Sequence, residues 1–146
     1  MAGMTLTDVE ATFLSRQARG HLATLGPQNT PQVKPLGFTY NAELGTIDIA
    51  GFNMAGSAKY RNVQENPDVA FVADEVTEEG SMEGVHFLEI RGVAETAAGN
   101  HDLEGHLDRE IIRIHPRRIL SFNVDPENPG FAARDVLSSN VENGVV

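Results

Sequence analysis

Residues 21–40 read HLATLGPQNTPQVKPLGFTY: two runs rich in apolar and β-branched residues around Gly26-Pro27-Gln28-Asn29-Thr30-Pro31. Gly, Pro and Asn at that density are turn chemistry. The flanking runs carry the composition of strands. Residues 21–25 and 32–40 are therefore expected to pair as an antiparallel hairpin. Alternation along the second run puts Lys34 on the same face as Leu36, Phe38 and Tyr40. A lysine on an apolar face either snorkels to water from the strand end or meets an anion.

Outward from this hairpin, the same grammar recurs. On the N-terminal side, Thr7-Asp8-Val9-Glu10 is a capping box, with Thr7 as N-cap and Glu10 at the third helical position. Val9, Phe13 and Leu14 continue a helical stripe, and Gly20 is read as its stop. On the C-terminal side, the turn Asn41-Ala42-Glu43-Leu44-Gly45 precedes a third strand over 46–52, with Ile47 and Ile49 on one face. A short helix is expected from Ser57 to Gln64. It ends before Pro67, since proline disfavours helical geometry at the residue before it.

Residues 68–74 form an apolar strand, 75–84 an acidic glycine-containing loop, and 85–96 a long strand with Phe87, Leu88, Ile90 and Val93. Residues 97–109 are ambiguous, although Leu103 and Leu107, four apart, suit a short helix. Residues 111–114 and 119–124 are either a strand pair or one strand broken at Pro116. The tail after Asp125 has no clear period, with Phe131 as a candidate anchor. The sum is a single mainly β domain over 1–146, its core at about 5–124. Six or seven short strands, mostly antiparallel, are expected to close into a small β-barrel with short helices.

The chain has 146 residues, enough for a real core, and a net charge of -10. That charge argues against nucleic acid or an anionic membrane as a partner. Eleven carboxylates fall between residues 74 and 110 against Arg91 and Arg109 alone, so the excess is read as solvated loop. There is no cysteine, which removes disulfides, thiolate metal sites and thiol nucleophiles. The opening Met1-Ala2-Gly3-Met4 carries no signal-peptide pattern, and no apolar run approaches a membrane span. A soluble cytoplasmic protein is expected.

Against that acidity, Ser57-Ala58-Lys59-Tyr60-Arg61-Asn62-Val63 puts two cations and no acid at a helix start. This is the wrong sign for the helix dipole. A bound anion would remove the cost. A Ser hydroxyl, free N–H groups and a lysine at such a start form a phosphate cradle. Gly51, shortly before, allows close approach of a ligand. The opposing possibility is an exposed helix whose charges only confer solubility.

The other chemistry is thin. His101, Glu104 and His106 miss the zinc-protease spacing. No serine sits in a nucleophile elbow, and the dinucleotide glycine fingerprint is missing. No metal site and no catalytic side chain declares itself, so in an enzyme a bound cofactor carries the reaction.

The residues that carry a family likeness are Gly20-His21-Leu22-Ala23-Thr24-Leu25, then Pro31 to Phe38, then Ile47-Asp48-Ile49-Ala50-Gly51. After them come Ser57 to Val63, Asn66-Pro67-Asp68-Val69-Ala70, and Glu89-Ile90-Arg91-Gly92-Val93-Ala94-Glu95. In this order they resemble the pyridoxamine 5′-phosphate oxidase-like split β-barrel flavoproteins over about residues 5–124.

The resemblance implies a homodimer with cofactor sites at the subunit interface. It places Lys59 at the phosphate-binding lysine, with Ser57, Ala58 and Arg61 around it. Gln32, Val33, Lys34 and Pro35 would border the isoalloxazine-type ring. Ala50 and Gly51 would offer backbone groups from the third strand.

Ala58 stands where the true pyridoxamine phosphate oxidases usually have arginine. Their C-terminal tryptophan and arginine–histidine motif are also absent. The short chain looks more like the branch that uses the deazaflavin coenzyme F420, whose phosphodiester and acidic tail Lys59, Arg61 and Lys34 suit. The implied function is hydride transfer from reduced F420 to an electron-poor double bond of a small molecule. FMN-dependent oxidoreduction, a non-catalytic flavin or haem binder, and a plain acidic interaction domain are the alternatives.

Overall fold

The computed structural model describes residues 5–98 and 109–136. The capping box forms as its spacing predicts. The Thr7 hydroxyl accepts the Glu10 N–H at 3.2 Å, and the Glu10 carboxylate accepts the Thr7 N–H at 2.9 Å. It opens α1 (Asp8–Ser15), which buries Phe13 and Leu14. The helix ends well before Gly20, so that glycine is not its stop. Gly20 begins β1 (Gly20–Leu25), and a Cβ there would lie 2.2 Å from the Phe71 ring. Close packing, not capping, demands the glycine.

Seven further strands and one helix follow: β2 (Pro31–Leu36), β3 (Thr39–Asn41), β4 (Thr46–Ile49), α2 (Ala58–Glu65), β5 (Asp68–Val76), β6 (Val85–Ala98), β7 (Glu110–Phe122) and β8 (Phe131–Asp135). They form one antiparallel sheet in the order β2-β1-β5-β6-β7-β4-β3, with β8 also on β7. The mainly β, antiparallel architecture is the one expected. β8 is an additional strand, held by its pairing with β7 rather than by Phe131, whose ring lies 4.6 Å from that of Phe122 but stays largely exposed.

The β1–β2 hairpin is present, with Leu22 opposite Lys34. Residues 32–40, however, are not one strand. The chain leaves the ladder at Gly37, and Phe38 packs edge-on against Phe71 of β5 with ring centroids 4.9 Å apart. Burying Phe38 carries the chain over the core, so β2 and β3 lie at opposite ends of the sheet. Leu36 of β2 and Ile47 and Ile49 of β4 share one hydrophobic core. The sheet therefore curls round its core as a barrel does, while its hydrogen-bond ladder stays open.

Residues 110–122 resolve the ambiguity at Pro116: they form one strand, not two. Ile112, Ile114 and Pro116 are buried, and the next buried position is Ile119, an odd step away. A period-2 strand cannot do this without an extra residue. The register shift opposite Arg91 and Gly92 supplies it at Arg117.

Asp48 of β4 is gripped by Arg113 of β7 through two bonds of 3.0 and 3.1 Å, and by Asn41 and Thr46. This polar cluster ties the β4–β3 end to the rest of the sheet. Among the described residues, no helix is long and apolar enough to cross a membrane. Leu103, Leu107, His101, Glu104 and His106 lie outside the described residues.

Candidate functional site

The site begins where β4 ends. Ile49 is its last strand residue, so Ala50 and Gly51 lie past the strand rather than inside one reaching residue 52. Asn53 takes the left-handed conformation (φ 50°), and Met54–Gly56 make one tight turn pinned by the buried Met54. This turn delivers Ser57 to the N-cap of α2. Its hydroxyl accepts the Tyr60 N–H at 3.3 Å and donates to the Met54 carbonyl at 2.7 Å. The hydroxyl is thus committed to the fold. The N–H groups of the first helical residues, Ala58 and Lys59, are the ones a helix leaves without an internal acceptor.

The first turn of α2 carries no acid. Arg61 is exposed, and its guanidinium donates to the Gly56 carbonyl at 2.9 Å, clamping the turn it follows. Ala58 is exposed at the helix start. Lys59 is half-buried, and its ammonium is held below the usual lysine range, first by burial and then by the charge of Lys34. Lys34 itself is exposed on β2. Two like charges from separate elements thus converge, and neither forms an ion pair or hydrogen bond among the described residues.

The residue that brings them together is Asn62, which sequence reasoning passed over. It is buried, and its amide donates to Thr24 Oγ1 on β1 and to Gln32 Oε1 on β2, both at 2.9 Å. The helix is thereby fastened to the hairpin, and Gln32 is oriented by it. The one signal in the sequence was an asparagine, a poor helix former, in mid-helix beside the apolar Val63.

The structure therefore gathers Gln32, Lys34, Ser57 and Lys59, with Ala58 and Arg61 alongside. Ala50 and Gly51 sit on the incoming limb, where a Cβ on Gly51 would lie 3.3 Å from Met54 Cε. Val33 alternates to the other side of β2 and is 61% exposed. Pro35 is exposed opposite His21.

The arrangement can hold an anion, and it contains no acid–base dyad. His86 is occupied with Thr77 and the Asn123 carbonyl, and His115 with Glu95. Among the described residues no three His, Cys, Asp or Glu side chains are placed to hold a metal ion.

Residues 6–144 match the family described as pyridoxamine 5′-phosphate oxidase. Over 139 residues, covering 94% of this chain and 97% of the relative, the sequence is 38% identical to the 5a,11a-dehydrotetracycline/5a,11a-dehydrooxytetracycline reductase of Streptomyces rimosus. Among solved structures, a conserved hypothetical protein of Mycobacterium tuberculosis superposes with a TM-score of 0.65 at 20% identity, covering 96% of this chain and 98% of its own. An F420 reductase superposes with a TM-score of 0.56 at 26% identity, over 74% of this chain and 93% of its own. The sequence match along nearly the whole length and the shared fold agree: the chain belongs to the pyridoxamine 5′-phosphate oxidase family.

Proposed function

We propose that this oxidoreductase uses reduced coenzyme F420 to transfer hydride to an electron-poor double bond of a small organic substrate. One observation carries the reading: Lys34 and Lys59 converge, unpaired, at a helix start in a chain of net charge -10. Such a site is built at a cost that a phosphodiester with an acidic tail repays. The similarity to the F420 reductase supports the cofactor class, and the dehydrotetracycline reductase supports an unsaturated, electron-poor acceptor.

The residues present fit that cofactor. Lys59, Lys34 and the N–H groups of Ala58 and Lys59 would hold its anionic end. Gln32, oriented by Asn62, would border the ring from the face of β2 that carries Lys34, and Ala50 and Gly51 would offer backbone groups; Val33 and Pro35 alternate to the other face, paired with Ala23 and His21, and are left out of the site. Ser57 and Arg61 act one step back, by shaping the turn. The deazaflavin supplies the hydride when bound. The chain contributes position and charge rather than a reacting side chain. A homodimer with the site completed across its interface is part of the proposal.

FMN is the second candidate, because its monophosphate suits the same cradle. Alanine at 58, where the pyridoxamine phosphate oxidases usually place arginine, favours F420. The deciding experiment titrates the purified full chain with F420, FMN and haem. It then offers reduced F420 to conjugated ketones, a dehydrotetracycline among them. F420 binding with hydride transfer is expected. Tight FMN binding with no F420 affinity overturns the cofactor, and binding without transfer to any acceptor makes the protein a carrier.

A further inference from the structure

We infer that the groove at the β7 bulge is a binding site for a small amphiphilic monocarboxylate, independent of the cofactor cradle. Arg117 is the extra residue, lying between Pro116, opposite Gly92, and Arg118, opposite Arg91. Bulges re-aim a side chain and recur beside binding sites. This one is held from both sides. The Arg117 carbonyl accepts the Val136 N–H at 2.7 Å. Across the ladder, a Cβ on Gly92 would lie 2.3 Å from the His115 carbonyl, so only glycine permits the approach.

A groove of about 430 Å³ opens at this point, with Ala23, Leu25, Ala70 and Val93 as apolar lining and Arg91 and Arg117 among its walls. That volume lies within the range of small-molecule sites. Arg117 is exposed, and its side chain makes no hydrogen bond or ion pair among the described residues. Arg91 is engaged only at Nε, by Glu89 at 2.7 Å, which leaves its terminal amino groups available. An apolar floor under a free guanidinium selects an apolar body with an acidic end.

Asp68 also lines the groove, and Glu89 stands beside Arg91. These carboxylates work against a phosphate or other polyanion, leaving a single carboxylate as the best match. The cradle faces elsewhere. The Thr24 hydroxyl accepts from the Asn62 amide of α2, while its neighbours Ala23 and Leu25 alternate to the opposite face of β1.

The test uses 2-naphthoate and 2-naphthol, matched in shape and differing in charge, titrated into the full chain by fluorescence. The chain has no tryptophan, so the naphthyl signal is read cleanly. Naphthoate is expected to bind about tenfold more tightly than naphthol, the size of one charge-assisted contact. Arg117→Gln should erase that ratio with an unchanged melting temperature, and Arg117→Lys should keep most of it. Lys59→Ala should leave both affinities unchanged. Equal affinities, an unaffected ratio in Arg117→Gln, or loss of naphthoate in Lys59→Ala each overturns the proposal. So does absence of binding, as when a second copy covers the groove.

Discussion

At the scale of single residues, Lys59 shows what half-burying a cation beside another costs. Burial and Lys34 push its folded pKa below the ordinary 10.5. A base whose folded pKa is lowered costs stability while charged, and the cost fades as pH rises through that lowered value. Lys59→Ala is therefore expected to stabilise the fold by about 0.5 kcal/mol, a small gain because the group is partly solvated. The same change should weaken F420 binding by about 1–3 kcal/mol. Thermal melts and F420 titrations check both signs. Binding to the native chain should also fall off with rising pH before an ordinary lysine would titrate, a limb the variant should lack. Asn62 makes the converse case. Asn62→Ala leaves Thr24 and Gln32 without their shared donor, a loss of about 2 kcal/mol readable in urea denaturation. Lys59 was legible from the sequence, because its sign conflicts with its own helix. Asn62 was not, because both its partners lie thirty or more residues away.

At the scale of elements, β7 depends on one glycine of its neighbour. Gly92→Ala drives a methyl group into the His115 carbonyl. A loss of about 3 kcal/mol is expected by denaturant titration, since neither backbone can give way without breaking the bulge. β4 depends on Asp48. Burial raises its pKa, but the donors on Arg113, Asn41 and Thr46 outweigh it, and the net shift is downward. A carboxylate with a lowered folded pKa contributes stability above its unfolded value near 3.8, lost as pH falls through the lower folded value. Arg113→Met should cost about 2 kcal/mol at neutral pH, since the pair is mostly shielded from water. It should also flatten the acid end of the stability curve, measured by denaturation at stepped pH. The helices and the first hairpin followed from local patterns. The parity change from Ile114 to Ile119 was in the sequence too, but alternation alone does not say whether two runs are two strands or one strand with an extra residue.

At the scale of the whole molecule, β8 leaves an apolar patch open to solvent. Phe131 is 79% exposed there, beside a groove of about 460 Å³ lined by Phe87 and Leu120. Exposed aromatic surface on a sheet face marks an association site. The proposed homodimer should sediment at twice 15.8 kDa, and Phe131→Ser or Leu120→Glu should shift it toward monomer. A monomer at all concentrations would remove the dimer from the proposal. By itself the sequence determined the capping box, the β1–β2 hairpin, the strand preference of most of the chain and the cationic, acid-free start of α2. Each depends on residues within a few positions of one another, where capping, turn chemistry and side-chain period act. Only the tertiary structure decided that residues 32–40 divide between opposite ends of the sheet, that Ala50 and Gly51 fall outside a strand, and that Lys34 meets Lys59. It also decided that Arg117 stands among the residues lining a groove. Those outcomes depend on which distant surfaces bury one another: period shows the face a residue takes, and packing alone chooses what lies against it.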